Sequence, residues 1–80
     1  MASTSVEHTV KSVICATLNI DAASVSDKAH IMDDLGADSL EMIEIQMALE
    51  DAFGIAIPDE ESERLQTVGN AVQWIEDHLV

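Results

Sequence analysis

The amino-acid sequence predicts an all-α domain of four helices, the third short, with a long loop between the first and second. Apolar residues recur at helical spacing in three stretches, residues 6–18, 40–53 and 68–79. Asp38 and Glu41 have the spacing of a helix-starting capping box, and Gly54 and Pro58 mark a stop and a fresh start. The composition is 48% hydrophobic, enough to fill a core. With only Phe53 and Trp74 as aromatics, that core is expected to be aliphatic.

In the first helix Val6, Val10, Val13, Ile14 and Leu18 make one amphipathic stripe. Thr4 and Glu7 have capping-box spacing at its start, and Asn19 suits its end. Cys15, the only cysteine, sits beside the stripe and reads as a small filler on or near the core, since no cation adjoins it to favour a thiolate. Residues 19–38 show no clean period, and a structureless connection of that length is uncommon in a compact domain unless it is pinned. Ile20, Val25, Ile31 and Leu35 are its expected anchors, with one helical turn starting at Asp21.

The second helix is expected to begin at Ser39 and carries two apolar stripes. Met42, Ile45, Leu49 and Phe53 read as the core face, and Leu40, Ile43 and Met47 form the other. A stripe this wide is buried on two sides or leaves a contact surface. Glu41, Glu44, Ala48 and Asp51 make a third, mostly acidic line, for which a solvated face and a recognition face both stand. After Gly54, Pro58 with Asp59, Glu60 and Glu61 suits a short helix running to about Leu65. Thr67 is placed to cap the last helix, whose apolar face is Val68, Ala71, Val72, Ile75 and Leu79, flanked by Trp74. Gly69 costs that helix about 1 kcal/mol relative to Ala, so a soft first turn is expected.

The 80 residues are expected to form one domain spanning 1–80, too small for a deep active site. Sixteen acidic residues against three basic ones give a net charge of −13, which repels nucleic acid and anionic membrane surfaces and points to basic partners. No stretch approaches a membrane span, so no membrane insertion is expected. One cysteine forms no internal disulfide, and the N-terminal residues lack the pattern of a secretory signal or transit peptide, so a cytoplasmic location is the default expectation. Three scattered histidines, His8, His30 and His78, have no ligand spacing, and no metal site is expected.

On spacing alone, Ser39 is either part of a cap or, because a helix N-terminus favours anions, a place to hold a phosphate ester. The run Asp34-Leu35-Gly36-Ala37-Asp38-Ser39-Leu40 bears on that choice. With Glu44, Met47 to Glu50, Phe53 and Ile57-Pro58-Asp59-Glu60-Glu61, it resembles the acyl carrier protein family from about Val6 onward.

The resemblance implies an acyl-carrier-like four-helix bundle. It also implies that Ser39, between Asp38 and Leu40, bears 4'-phosphopantetheine from coenzyme A, whose thiol holds acyl groups as thioesters. Its further implications are a phosphopantetheinyl transferase as one partner and basic surfaces of acyl-chain enzymes as others, recognised through Glu41, Ile43, Glu44, Met47 and Asp51. An aliphatic pocket for the acyl chain is expected near Ser39, from Met42, Ile45 and Leu49 with Ile31 and Leu35 opposite. A monomeric carrier serving fatty-acid or related acyl-chain biosynthesis is expected, not an enzyme.

Gln46 falls where many family members are apolar, and the first helix is poor in Lys and Arg; both features suit a dedicated partner. The same fold serves peptidyl, aminoacyl and polyketide-type carriers, but the acidic balance and the wording around Ser39 favour the acyl type. As an enzyme nucleophile Ser39 lacks a Gly-x-Ser-x-Gly elbow and a histidine placed as its base. Residues 33–44 likewise do not fit the ligand pattern of a calcium-binding loop.

Overall fold

The computed structural model describes residues 2–79, with side chains from Ser5 onward. Helix α1 (Ala2–Leu18) is followed by a 3-10 turn (Ala22–Ser24), helix α2 (Ser39–Phe53), a seven-residue 3-10 helix (Asp59–Leu65) and helix α3 (Val68–His78). No strand forms among the described residues. Helix α1 packs against both α2 and α3, and the long 3-10 helix lies on α3. This is the all-α architecture expected, with its short third helix in 3-10 rather than α geometry.

Val6, Val10 and Ile14 of α1, Met42, Ile45 and Leu49 of α2, and Val68, Ala71 and Ile75 of α3 are buried together. The stripes therefore met as their spacing dictates, and each large aliphatic side chain so buried contributes roughly 1.5–3 kcal/mol of transfer free energy. Cys15 is half-buried and packs against this core, as a filler should. Asn19 ends α1 at φ +57°, and the Ile20 N–H donates to the Cys15 carbonyl at 3.1 Å, which closes the end of the helix.

Helix α1 already includes Thr4, so Thr4 does not stand before the helix as its cap; its side chain lies outside the described residues. Trp74 does not merely flank the face of α3. It is buried, and it keeps its polar edge satisfied by donating from Nε1 to Glu61 Oε1 on the 3-10 helix at 3.1 Å. The His78 ring stacks on it at 3.7 Å between centroids. Leu79 leaves the face altogether, because α3 ends at His78 and Leu79 turns extended and exposed.

The long loop is pinned by its backbone as much as by its apolar anchors. Val25 and Ile31 are buried, Ile20 and Leu35 are partly so, and the small Ala29 and Ala37 join the core. Residues 27–31 also run antiparallel to the start of α3. The Gly69 N–H donates to the Asp27 carbonyl at 2.8 Å, Val68 N–H to Ala29 at 3.0 Å, and Ile31 N–H to Gln66 at 2.8 Å.

Gly69 belongs to this contact. A Cβ there would stand 2.9 Å from the Asp27 carbonyl oxygen, so the residue that looked like a soft spot is what lets the loop approach. On the other side Lys11 Nζ bridges Glu7 at 3.1 Å and Asp27 at 3.2 Å, tying α1 to the loop. Glu7 and Asp27 hold the Lys11 ammonium above its usual range, and Lys11 holds the Asp27 carboxyl below its own.

Candidate functional site

The corner that carries Ser39 is built from the docked loop outward. Beyond Ile31 the chain winds through a compact turn in which Asp34 and Leu35 N–H groups donate to the His30 carbonyl, at 2.8 and 3.1 Å. Gly36 N–H then donates to Met32 and Ala37 N–H to Ile31, each at 3.1 Å. The Asp34 side chain accepts the His30 N–H at 2.7 Å and closes the turn from outside. Asp38 follows in extended conformation as the N-cap of α2. Its Oδ1 accepts the Glu41 N–H at 2.8 Å, while Glu41 Oε1 accepts the Asp38 N–H at 3.1 Å. The capping box read from the spacing is present with both of its bonds.

Ser39 is therefore the first residue of a capped helix, and it is exposed. The N–H groups of Ser39 and Leu40 are among those that an α-helix leaves without an intrahelical acceptor, and they sit at the positive end of its dipole. Asp38 is likewise exposed. Leu40, Ile43 and Met47 are 64%, 53% and 59% exposed, against 9% or less for Met42, Ile45 and Leu49, which decides between the two apolar stripes. The second stripe faces outward beside the serine. Glu44 and Asp51 are exposed along the same helix, and Glu41 is half-exposed because its side chain turns back to the cap.

A groove of about 410 Å³ opens beside Ser39, between α2 and the 3-10 helix. Ser39, Met42, Ile43 and Gln46 supply one wall at the i, i+3, i+4, i+7 spacing of one helix face, and Met32 comes from the loop. Asp59, Ser62, Glu63 and Gln66 form the other wall. Of the residues expected to surround an acyl chain, Met42 lines this groove. Ile31, Ile45 and Leu49 do not line it and are buried in the core, at most 1% exposed, and Leu35 is half-buried. Gln46, noted in the sequence as a departure from the family pattern, lies on the α2 wall; Ser62 and Gln66 were not singled out, because the opposite wall comes from a segment remote in the chain. No group of His, Cys, Asp and Glu with metal-holding geometry occurs among the described residues, and no described helix is long and apolar enough to cross a membrane.

Comparison with known proteins agrees with this geometry. A family model described as the phosphopantetheine attachment site matches residues 8–75. The acyl carrier protein of Helicobacter pylori strain G27 is 49% identical over 69 residues, which is 86% of this chain and 88% of that protein. The acyl carrier protein of Helicobacter acinonychis strain Sheeba is 51% identical over 69 residues, with the same coverage. The corner fits such a group: an accessible hydroxyl stands at a helix start, where backbone N–H groups are open to a phosphate. A match over most of the chain, in a helical bundle that presents a serine in this way, places the chain in the acyl carrier protein family, whose members hold their acyl load on 4'-phosphopantetheine.

Proposed function

We propose that Ser39 Oγ is the attachment atom for 4'-phosphopantetheine, transferred from coenzyme A by a phosphopantetheinyl transferase, and that the protein presents acyl thioesters to other enzymes without catalysing a step itself. The observation that carries this reading is the exposed hydroxyl on the first residue of α2, held by a cap and a loop that are both hydrogen-bonded in place. The bound group supplies the thiol that holds the acyl load. The chain supplies a fixed corner, two open N–H groups toward a phosphate, and a surface to be recognised.

That surface is α2. Leu40, Ile43 and Met47 offer an apolar contact, and Glu41, Glu44 and Asp51 surround it with negative charge, which suits the basic surfaces of the transferase and of enzymes of fatty-acid or related acyl-chain biosynthesis. The residues lining the groove with Ser39 include no histidine, so a Ser–His nucleophile and base pair is not built from them. An acyl chain would reach the core past Met42, toward Ile31, Leu35, Ile45 and Leu49. One continuous core from Val6 to Ile75 supports a single carrier domain over residues 1–80. The shared negative charge supports a monomer, and the single free thiol supports a cytoplasmic setting.

Incubation with coenzyme A and a transferase tests the attachment. The intact mass should rise by one phosphopantetheinyl group, and the Ser39→Ala variant should gain nothing. An equal gain by the variant would remove Ser39 from the role.

A further inference from the structure

The turn that leads to Ser39 is held at its entry by a histidine acting as a cap. His30 Nδ1 accepts the Asp33 N–H at 3.1 Å, and in return the His30 N–H donates to Asp34 Oδ2 at 2.7 Å. These bonds do at the start of the turn what Asp38 and Glu41 do at the start of α2, so the chain from 30 to 38 lies between two reciprocal caps. The difference is that an imidazole stands where Ser, Thr, Asp or Asn is the usual acceptor. A backbone N–H only donates, so Nδ1 offers its lone pair and the ring is the neutral tautomer with its hydrogen on Nε2.

Resting on the attachment argued above, we propose that His30 is a positioning residue for Ser39: its neutral ring holds the turn closed, and its protonation releases the turn and makes Ser39 a poorer acceptor of the phosphopantetheinyl group. The side chain is 28% exposed, so protons reach it. A proton on Nδ1 fills the accepting lone pair and sets two donors against each other, and the Asp33 bond is lost. The charges around the ring do not restore it. Asp33 Oδ2 is 3.8 Å from Nδ1 but its side chain is 82% exposed, where pairing with a cation contributes little. Asp34 Oδ2 already takes the His30 N–H, and Lys28 is a like charge two residues back. Across a backbone bridge His30 meets Thr67, within the uncharged run from Gln66 to Asn70. Before that run Glu63 lines the groove beside Ser39 and Arg64 pairs with Glu61 at 3.6 Å. The cap reaches the serine through a short chain of bonds: the His30 carbonyl accepts the Asp34 and Leu35 N–H groups, and Ala37, whose N–H donates to Ile31, directly precedes Asp38.

The variant His30→Asn tests this, because the Asn side-chain oxygen takes the place of Nδ1 as acceptor and does not titrate. With coenzyme A and one transferase, kcat/KM for the parent protein divided by kcat/KM for His30→Asn cancels the transferase's own pH dependence. The ratio should be near unity at about pH 8 and fall at least about twofold by about pH 5.5, as histidine becomes charged. In 15N nuclear magnetic resonance the Asp33, Ala37 and Ser39 amide signals of the parent should shift together over the same range, and His30→Asn should lose that transition. His30→Ala, which has no acceptor, should be slow at both pH values; transfer to it as fast as to His30→Asn would overturn the proposal. A ratio independent of pH, with the adduct formed on both proteins, would overturn the role of His30 and leave the attachment standing. Absence of any adduct on the parent at about pH 8, where histidine is neutral, would overturn both.

Discussion

Gly69 shows how one residue links a local cost to the function. In isolation a glycine in the first turn of α3 loses about 1 kcal/mol to alanine, yet here the absent Cβ is what allows the Asp27 carbonyl to accept the Gly69 N–H at 2.8 Å. That contact begins the backbone pairing that fixes residues 27–31, and through them the turn that ends at Ser39. In Gly69→Ala the new methyl would stand 2.9 Å from a carbonyl oxygen that cannot rotate away. The gain in helix propensity should be outweighed, with a net loss of roughly 1–3 kcal/mol. Urea denaturation measures it directly. A midpoint equal to or above that of the parent protein would mean that the loop yields and is not what holds the corner.

At the scale of elements, α2 serves two surfaces with one sequence. Its buried residues join the bundle, and its outward residues have no partner within the described chain. Because Glu44 and Asp51 are exposed, reversing either to Lys should leave unfolding within about 0.5 kcal/mol of the parent while slowing the transferase, since exposed charges steer encounter more than they stabilise. Transferase kinetics unchanged in both variants would reduce the acidic line to a solvated face. The helices and caps were legible in the sequence because their causes are local: Asp38 with Glu41, Thr67 with the Asn70 N–H, Asn19 and Gly54 at helix ends. The role proposed for Ser39 comes from its motif. The depth of Trp74 and the meaning of Gly69 were not, because one depends on Glu61 and the other on Asp27, partners thirteen and forty-two residues away whose approach no periodicity encodes. The opposite wall of the groove was hidden for the same reason.

The whole molecule carries a net charge of −13 on a body where two of the three Lys and Arg side chains, Lys11 and Arg64, are already paired with carboxylates. Self-repulsion should subtract from a modest stability, and screening should restore it. Melting temperature is expected to rise with sodium chloride, and more per unit ionic strength with magnesium; a flat response would mean that the charges are too dispersed to matter. The aliphatic core bears on the cargo. Each methylene drawn from water contributes roughly 0.8 kcal/mol, so acyl chains that enter past Met42 should raise the melting temperature of the loaded protein with length until the space is filled. A midpoint independent of chain length would place the cargo outside the bundle.

The central claim is that this fold exists to present one hydroxyl, and fragmentation mass spectrometry of the coenzyme A-loaded parent protein tests it most directly. Seven serines compete for the adduct, and Ser62 lines the same groove, so accessibility alone would not confine it to one position. The account predicts phosphopantetheine on Ser39 and on no other residue. An adduct on Ser62, or shared among several serines, would contradict it.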